Sequence, residues 1–159
     1  EQGIIKNFGI TGHLGADILM KGIRRWDPDA ILTIFPADRP DDGAYEDKLL
    51  PLALEHKMGV IAMKTVRRAR DTDWPAPQLI RYAMSLPGIA TTIVGLDSIV
   101  HLDENVAMAS NFEPLTTEQL AEMSHIVKSE LAGLGAAPWD RPGYQDGAPG
   151  LAVEGKSYV

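Results

Sequence analysis

One stretch of this sequence carries basic residues at a spacing suited to holding an anion. Lys64 is followed by Arg67 and Arg68, directly after the apolar run 59–63. Lysine and arginine form charge-assisted hydrogen bonds with phosphate oxygens, and arginine does so with two parallel donors. By residue type alone, two adjacent arginines are more often a solvated pair on a loop than a phosphate clamp. The segment is therefore a candidate anion site that needs support from its neighbours.

A second stretch offers the backbone chemistry that anions prefer. Gly95 is followed by Asp97 and Ser98, and Ser98 is a natural N-cap for the helical pattern that comes next. A glycine lets the backbone approach a phosphate closely, and the free amides at the start of a helix favour negative charge. Both stretches follow strand-like runs, so in a parallel sheet they would lie on one rim.

The elements that position these residues alternate along the chain. Apolar runs at 4–10, 30–35, 59–63 and 91–94 predict four strands, and a helical spacing of apolar residues follows each of them. The runs are apolar throughout and do not alternate with polar residues. Such strands are typical of a parallel sheet covered by helices, which makes the chain an α/β protein.

Two of the predicted helices have recognisable boundaries. The second spans about 45–58, with Pro51 as a kink or a late start and Gly59 as a C-cap. The last begins at a capping box between Thr116 and Gln119. It is an extra helix after the fourth strand–helix unit.

The chain changes character after this last helix. Glycine and proline recur too often in 132–159 for regular structure, so the sequence predicts a folded unit over 1–131 and an irregular tail. Trp139 and Tyr144 lie in that tail. They either anchor it over a pocket or belong to a weakly ordered terminus.

The amino-acid composition argues against several classes of binding partner. The net charge of −7 and the lack of a long Lys/Arg cluster argue against nucleic acid or an anionic membrane as a partner. With no cysteine there is no disulfide, thiol nucleophile or thiolate metal site. No apolar run is long enough to span a bilayer and no signal peptide is recognisable, so we expect a cytoplasmic protein. The sequence opens at Glu1 without an initiator methionine, as a fragment would.

Four strand–helix units are half of a TIM barrel, whose eight units take about 250 residues. The sequence also resembles the aldo-keto reductase family. The matching blocks, in family order over about 3–131, are GIIKNFGITGH (3–13), GVIAMK (59–64), LIRYAMSLP (79–87), IVGLDS (93–98) and LDEN (102–105). The resemblance implies the C-terminal half of the (β/α)8 barrel, with strands five to eight, a C-terminal helix and the irregular tail.

The resemblance also implies that the chain binds a nicotinamide dinucleotide, NADP or NAD. Residues after the first strand would contact the nicotinamide carboxamide, with His13 nearby, and the basic loop would face the pyrophosphate. A pair on the last barrel helix would hold the adenine. The implied cofactor-binding residues are Thr11, Gly12, Met63, Lys64, Arg67, Arg68, Gly95, Asp97, Ser98, His101, Glu104 and Asn105.

The sequence departs from the family pattern at three of these places and also at Ile31. Thr11-Gly12 replaces the usual Ser-Asn pair, and Ile31 stands where a glutamine usually helps. Met63 takes the position of the aromatic residue that stacks on the nicotinamide, and a methionine there is also an ordinary core residue. His101 replaces the arginine that often reads the 2′-phosphate, so the resemblance does not choose between NADP and NAD.

The remaining histidines and the adenine pair have plainer interpretations. His13 is as well explained by capping or core packing as by contact with the nicotinamide. His56, His101 and His125 occur in helical patterns without metal-ligand partners, so no metal site is predicted. Glu104 and Asn105 would be a solvated helix surface without the family match.

No catalytic residue is assigned. Family members reduce a carbonyl with a tyrosine proton donor assisted by lysine, aspartate and histidine, all from the first half of the barrel. The tyrosines here, Tyr45, Tyr82, Tyr144 and Tyr158, occur in no such setting. Three functions follow: the cofactor half of a reductase of small carbonyl substrates, a non-catalytic nucleotide-binding module, or a structural subunit. The expected partner is a complementary N-terminal half barrel, or a second copy in a homodimer.

Overall fold

A parallel sheet of four strands forms the centre of the fold. The computed structural model describes residues 3–13, 15–66 and 74–134. The strands are β1 (Gly9–Thr11), β2 (Ala30–Ile34), β3 (Gly59–Met63) and β4 (Ile89–Thr92). They lie in chain order, and every neighbouring pair is parallel. The predicted α/β half barrel with a parallel sheet is confirmed.

Helices follow each strand. They are α1 (Ala16–Trp26), α2 (Leu50–Glu55), α3 (Ala76–Ser85), α4 (Ile99–Ser110) and α5 (Thr117–Leu131). A 3₁₀ turn over Asp41–Gly43 and a π-helical turn over Tyr45–Leu49 precede α2, and a 3₁₀ turn over Ala132–Leu134 follows α5.

The first predicted strand was placed too early. The run 4–10 was expected to be extended, but pairing begins only where the backbone amide of Asp29 donates to the Phe8 carbonyl at 2.9 Å. The Asp29 carboxylate also accepts the Phe8 amide at 2.9 Å. No β2 residue lies opposite Ile4 and Ile5, whose side chains are exposed. An apolar run becomes a strand only where a neighbouring strand supplies hydrogen bonds.

The fourth strand was placed too late. It was expected over 91–94, but the chain turns at Gly88 with φ 88° and enters the sheet at once. A side chain at Gly88 would collide with Leu54, so glycine permits both the conformation and the close approach. The Ile93 amide still donates to the Ala62 carbonyl at 2.8 Å, which extends the pairing by one bond.

The observed boundaries of α2 also differ from the predicted ones. Pro51 lies in the first turn of α2, so the late start is correct and the π-helical turn precedes it. Gly59 as a C-cap is wrong, because Gly59 is the first residue of β3. Lys57 instead adopts the left-handed conformation, with φ 56°, that reverses the chain after Glu55.

The predicted caps of the last two helices are confirmed. Ser98 Oγ accepts the His101 amide at 3.2 Å and starts α4. The capping box of α5 is complete. Thr116 Oγ1 accepts the Gln119 amide at 3.3 Å, and Gln119 Oε1 accepts the Thr116 amide at 2.9 Å.

Helix α1 has no side-chain cap from its own sequence. Its first amides are satisfied by the second strand–helix unit. The Tyr45 hydroxyl accepts the Gly15 amide at 2.9 Å, and the Asp41 carboxylate accepts the Ala16 amide at 3.0 Å. Two neighbouring units are therefore joined at the rim where α1 begins.

Burial alternates along the two central strands. One set of side chains is buried: Ile31, Thr33, Val60 and Ala62. In the intervening set, Ala30, Leu32, Ile61 and Met63 are half-buried, whereas Gly59 at the start of β3 is exposed and Ile34 at the end of β2 is buried. The sheet therefore has one covered face and one open face, and the open face would line the interior of a closed barrel. A shallow cleft of about 240 Å³ lies on this face between β1 and β2.

The helices at the two ends of the sheet also expose apolar side chains. Helix α4 buries none of its residues, and Ile99, Leu102 and Val106 form an exposed stripe at i, i+3 and i+7. At the other end, Ile18 and Trp26 of α1 are 61% and 57% exposed. In a closed barrel both surfaces would pack on further helices.

The predicted boundary at residue 131 coincides with the end of α5. The division into 1–131 and 132–159 stays a prediction, because residues 135–159 lie outside the described residues. Trp139 and Tyr144 lie there too.

These surfaces lead to a prediction about assembly. Within the described ranges, β1 and β4 each pair with one strand, which leaves an edge at either side of the sheet. We expect the chain to form a complex with a complementary half barrel, or a homodimer, because either covers the edges and the open face. Light scattering at micromolar concentration measures this. A monodisperse, cooperatively folding species of single-chain mass would contradict it.

Candidate functional site

The carboxyl ends of the four parallel strands form one rim of the sheet. Residues that follow β1, β3 and β4 meet there, and barrel enzymes place their active sites at this rim. The predicted cofactor residues within the described ranges lie on this rim or on α4. Arg67 and Arg68 lie outside those ranges, so their part of the predicted site stays a prediction.

Thr11 and Gly12 are fixed against β2. The Thr11 hydroxyl donates to the Leu32 carbonyl at 3.0 Å, and the Gly12 amide donates to the same oxygen at 3.3 Å. The completely buried Thr33 donates from its hydroxyl to the Gly12 carbonyl at 2.8 Å. Thr33 was missed from the sequence, where a polar residue inside an apolar strand was the available signal. Three hydrogen bonds therefore hold this segment before any ligand arrives.

Two positions that depart from the family pattern have different surroundings. Ile31 is completely buried on the covered face of the sheet, so its side chain cannot contact a ligand on the rim. Met63 is half-buried at the end of β3 and is paired in register with Ile34. A methionine at the rim supplies polarizable apolar surface, without the flat face of an aromatic ring.

Lys64 and His13 meet across the end of β2. The Lys64 Nζ lies 2.8 Å from the His13 Nε2, although β2 separates the strands that carry them. The Lys64 side chain is exposed and the His13 side chain is half-buried. Two basic groups thus share one position at the β1 side of the rim.

The start of α4 carries an acidic and a basic side chain in contact. The Asp97 carboxylate lies 2.5 Å from His101 Nδ1, and both side chains are more than half exposed. An acidic group therefore stands beside the residue that replaces the 2′-phosphate arginine. A Cβ at Gly95 would meet nothing within 4 Å, so Gly95 leaves open space next to this turn.

The predicted adenine pair lies on the same helix. Glu104 is exposed and Asn105 is half-buried, on a helix that buries no residue. Neighbouring helix residues point about 100° apart, so these two side chains lie on different faces. Their arrangement is that of a helix surface, and the adenine contact stays a prediction.

Two buried hydroxyls close to the rim lack hydrogen-bond partners. They are Thr65 Oγ1, one residue after Lys64, and Thr92 Oγ1, at the end of β4. Buried polar groups are nearly always paired, so an unpaired one near a rim is a candidate ligand contact. The residues present therefore fit a polar ligand such as a dinucleotide in part.

Among the described residues no three His, Asp or Glu converge as metal ligands, and no helix is long and apolar enough to cross a membrane.

A titratable cluster lies away from the rim, in the layer of helices. Arg39 Nε is 3.0 Å from a Glu46 carboxylate oxygen, and the Arg39 guanidinium also pairs with Asp47. The Tyr82 hydroxyl of α3 donates to Glu46 at 3.0 and 3.1 Å. A hydrogen bond with Ser124 of α5 lowers the pKa of Tyr82, against the effect of burial. The cluster therefore ties the loop after β2 to two helices.

Burial dominates the ionisation of this cluster. It raises the pKa of Glu46 to about 7, although the Arg39 charge and the Tyr82 hydrogen bond act in the opposite direction. Burial and the adjacent Glu46 carboxylate also raise the pKa of Tyr82. Shifted pKa values mark many active sites. Here the neighbours are groups that pack the helices together, and a cleft of about 240 Å³ opens beside Arg39 and Lys128.

Comparisons with known proteins identify the fold. No model of a protein family matches the sequence, and no curated protein sequence matches it. Solved structures of aldo-keto reductases do match. AKR11C1 from Bacillus halodurans, in its holo and apo forms, superposes with a TM-score of 0.57 at 19% identity over 79% of this chain. The thermostable aldo-keto reductase Tm1743, in complex with the inhibitor epalrestat, gives 0.54 at 14% identity, again over 79%.

The chain spans about half the length of these reductases, namely 51%, 52% and 50% of the three structures. Four parallel strands with their helices are half of a (β/α)8 barrel. The resemblance found in the sequence is thus confirmed as a shared fold. The matches are too distant in sequence to show a shared activity.

The raised pKa of Glu46 leads to a prediction about stability and pH. The raised pKa means that ionising Glu46 costs more free energy in the folded chain than in the unfolded chain. The free energy of unfolding should therefore fall between about pH 4.5 and 7, by about 3 kcal/mol or less, and level off above. Glu46→Gln stays neutral and should lack this fall. Urea unfolding across that range, at one protein concentration, measures the difference.

The exposed Glu55 of α2 provides the control. Glu55→Gln removes the same charge from solvent and should follow the wild-type pH profile. Parallel profiles for Glu46→Gln and the wild type would show that Glu46 ionises normally in the folded chain.

Proposed function

We propose that this chain is the nicotinamide-dinucleotide-binding half of an NAD(P)H-dependent oxidoreductase of the aldo-keto reductase type. The complete enzyme reduces an aldehyde or ketone to an alcohol. The observation that carries the proposal is the half barrel itself, superposable on about half of AKR11C1 and ending in a polar rim. A complementary half barrel supplies the rest of the site.

The β1 side of the rim would receive the nicotinamide. Thr11 and Gly12 are locked by their bonds to β2 and by the Thr33 hydroxyl. A segment held in this way loses little further freedom when a ligand binds, which favours affinity. The Thr11 hydroxyl already donates its hydrogen to the Leu32 carbonyl. Its oxygen would therefore accept a hydrogen bond from the NH₂ group of the carboxamide.

The α4 side would receive the adenosine. Its helix begins at Ser98, where free backbone amides favour an anion. Lys64, Arg67 and Arg68 would supply positive charge for the pyrophosphate. The Asp97 carboxylate beside His101 offers no attraction to a 2′-phosphate, so the proposal covers both NADP and NAD.

The bound nicotinamide would supply the hydride, and the proton must come from elsewhere. The tyrosines of the described residues are buried in the helical layer: Tyr45 is 3% exposed and Tyr82 is 1% exposed. Tyr45 accepts the Gly15 amide and Tyr82 donates to Glu46. Both hydroxyls are engaged in these contacts, so the proposal assigns the proton donor to the partner.

A non-catalytic half barrel is the second candidate. Ile31 is buried away from the rim and Met63 replaces the stacking aromatic residue, so two contacts of a typical family site are weaker here. A chain that had become a nucleotide-binding or structural subunit would show the same losses. Cofactor binding separates a structural subunit from the other functions, and turnover in the complete complex separates a reductase from a binding module.

The basic loop provides the first test. Replacing Arg67 and Arg68 by alanine should weaken NADPH and NADH binding about tenfold or more, because two charge-assisted phosphate contacts are lost. Fluorescence titration or calorimetry measures the affinity.

Arg24 and Arg25 form a matched control pair. They lie in the last turn of α1, on the side of the sheet opposite the rim. Arg24→Ala/Arg25→Ala removes the same charge and should leave nucleotide affinity within about twofold. If both double variants lost the same nucleotide affinity, the loss would be explained by the change in net charge and not by contacts of this loop. An unchanged affinity in the Arg67/Arg68 variant would remove the loop from the site.

Turnover provides the second test. The purified chain alone, with NADPH and a panel of aldehydes, should show no reduction above background, since a missing proton donor costs about 10²- to 10⁴-fold. NADPH oxidation followed by absorbance measures it. Turnover at ordinary enzyme rates, from protein whose mass is that of the 159-residue chain, would show that this half carries its own proton donor.

A further inference from the structure

The two ends of the four-stranded sheet carry charges of opposite sign. At the β1 end, α1 contains one acidic and three basic residues, all of them exposed, namely Asp17, Lys21, Arg24 and Arg25. At the β4 end, α4 contains the exposed Asp103 and Glu104 and no lysine or arginine, and its His101 contacts the Asp97 carboxylate. We call β1 with α1 the basic end, and β4 with α4 the acidic end.

At the basic end, positive charge lies beside exposed apolar surface. Helix α1 turns Leu19 and Ile23 into the core. Ile18, Arg25 and Trp26 are exposed and follow one another at i, i+7 and i+8, so they share another side of the helix. The Arg25 Cζ lies 5.1 Å from the centre of the Trp26 ring. This side of α1 therefore combines an apolar surface with a fixed positive charge.

At the acidic end, negative charge lies beside exposed apolar surface. The stripe of Ile99, Leu102 and Val106 runs along α4, which buries none of its residues. Asp103 comes four residues after Ile99, so the two side chains are neighbours on the helix surface. The acidic end thus has the same construction as the basic end, with the opposite charge.

We propose that a second copy of this chain covers both ends. A twofold axis relates the two copies, so that α1 of each lies beside α4 of the other. The β1 edge of each copy then meets the β4 edge of the other, and four strands from each copy make the eight of a closed barrel. In a twofold dimer every contact occurs twice with the roles exchanged, so both pairs of ends are covered together.

The opposite charges are what favour a second copy as the occupant. Apolar surface and open edges accept any half barrel of suitable shape, whereas like charges that meet in an interface oppose association. This chain carries at one end the charge that its other end requires. The inference goes beyond the proposed function and does not depend on it. A complementary N-terminal half barrel would bind the same two ends and compete with the second copy.

Reversing the charge of one end tests the contact. Arg24→Glu/Arg25→Glu gives a chain with two acidic ends, and Asp103→Lys/Glu104→Lys gives a chain with two basic ends. A homodimer of either variant brings like charges together at both contacts, so its dissociation constant should rise about tenfold or more. Sedimentation equilibrium of the purified full chain, without nucleotide, measures this constant.

Mixing the two variants is the decisive measurement. A chain with two acidic ends matches a chain with two basic ends at both contacts. The equimolar mixture should therefore form a heterodimer whose dissociation constant is within about threefold of that of the wild-type dimer. Native mass spectrometry identifies the heterodimer, because the two variants differ in mass. Recovery on mixing also excludes the explanation that either variant had simply failed to fold.

Lys48→Glu/Lys57→Glu is the matched control. Both lysines are exposed and belong to the second strand–helix unit, between the two ends, and the change in net charge equals that of the arginine variant. This control should dimerise as the wild type does.

Four results would overturn the inference. They are a wild-type chain of single-chain mass at every concentration, reversal variants that dimerise as tightly as the wild type, a mixture that does not recover, and an equal loss in the control variant. The first result would leave the complementary half barrel as the occupant of both ends.

Discussion

The parallel pairing of β2 with β3 is the constraint on which the rest of the structure depends. Five residues of each strand are in register, from Ala30 opposite Gly59 to Ile34 opposite Met63. The buried side chains of both strands form the centre of the core, and the shorter edge strands are attached on either side. Because the central pair is parallel and in register, the chain leaves the sheet at one level. That level is the rim where His13, Lys64 and the start of α4 occur.

The sequence predicted these central strands well because both faces of the sheet demand apolar residues there. The runs 30–35 and 59–63 agree with β2 and β3 within one residue. The first residue of β1 lies five residues after the start of its predicted run, and that of β4 lies two residues before, although these runs are equally apolar. Ile4 and Ile5 have the composition of a strand without a neighbour to pair with, and the turn at Gly88 moved β4 toward the N-terminus. Composition determines which segments can be strands, and pairing determines where they begin.

The polar contacts were harder to predict for a different reason. The caps at Ser98 and Thr116 were correct because their partners lie three residues away. Lys64 and His13 are 51 residues apart, and Tyr82 and Glu46 are 36 apart. No local pattern encodes such contacts, since they depend on which strands and helices become neighbours. The half-buried Glu46 is the clearest example, because in the sequence it is one acidic residue among several at the start of a helix.

The capping of α1 by Asp41 and Tyr45 has a consequence for how the fold is acquired. The amides at the start of α1 are satisfied by groups 25 and 30 residues further along the chain. An isolated first unit would leave these amides to water and its apolar face uncovered, so this helix gains its full stability only when the second unit has docked. Neighbouring units therefore form as a pair and not as independent modules. A strand–helix unit excised from this chain would not be a smaller version of the same protein, because the groups that cap the start of its helix belong to the next unit.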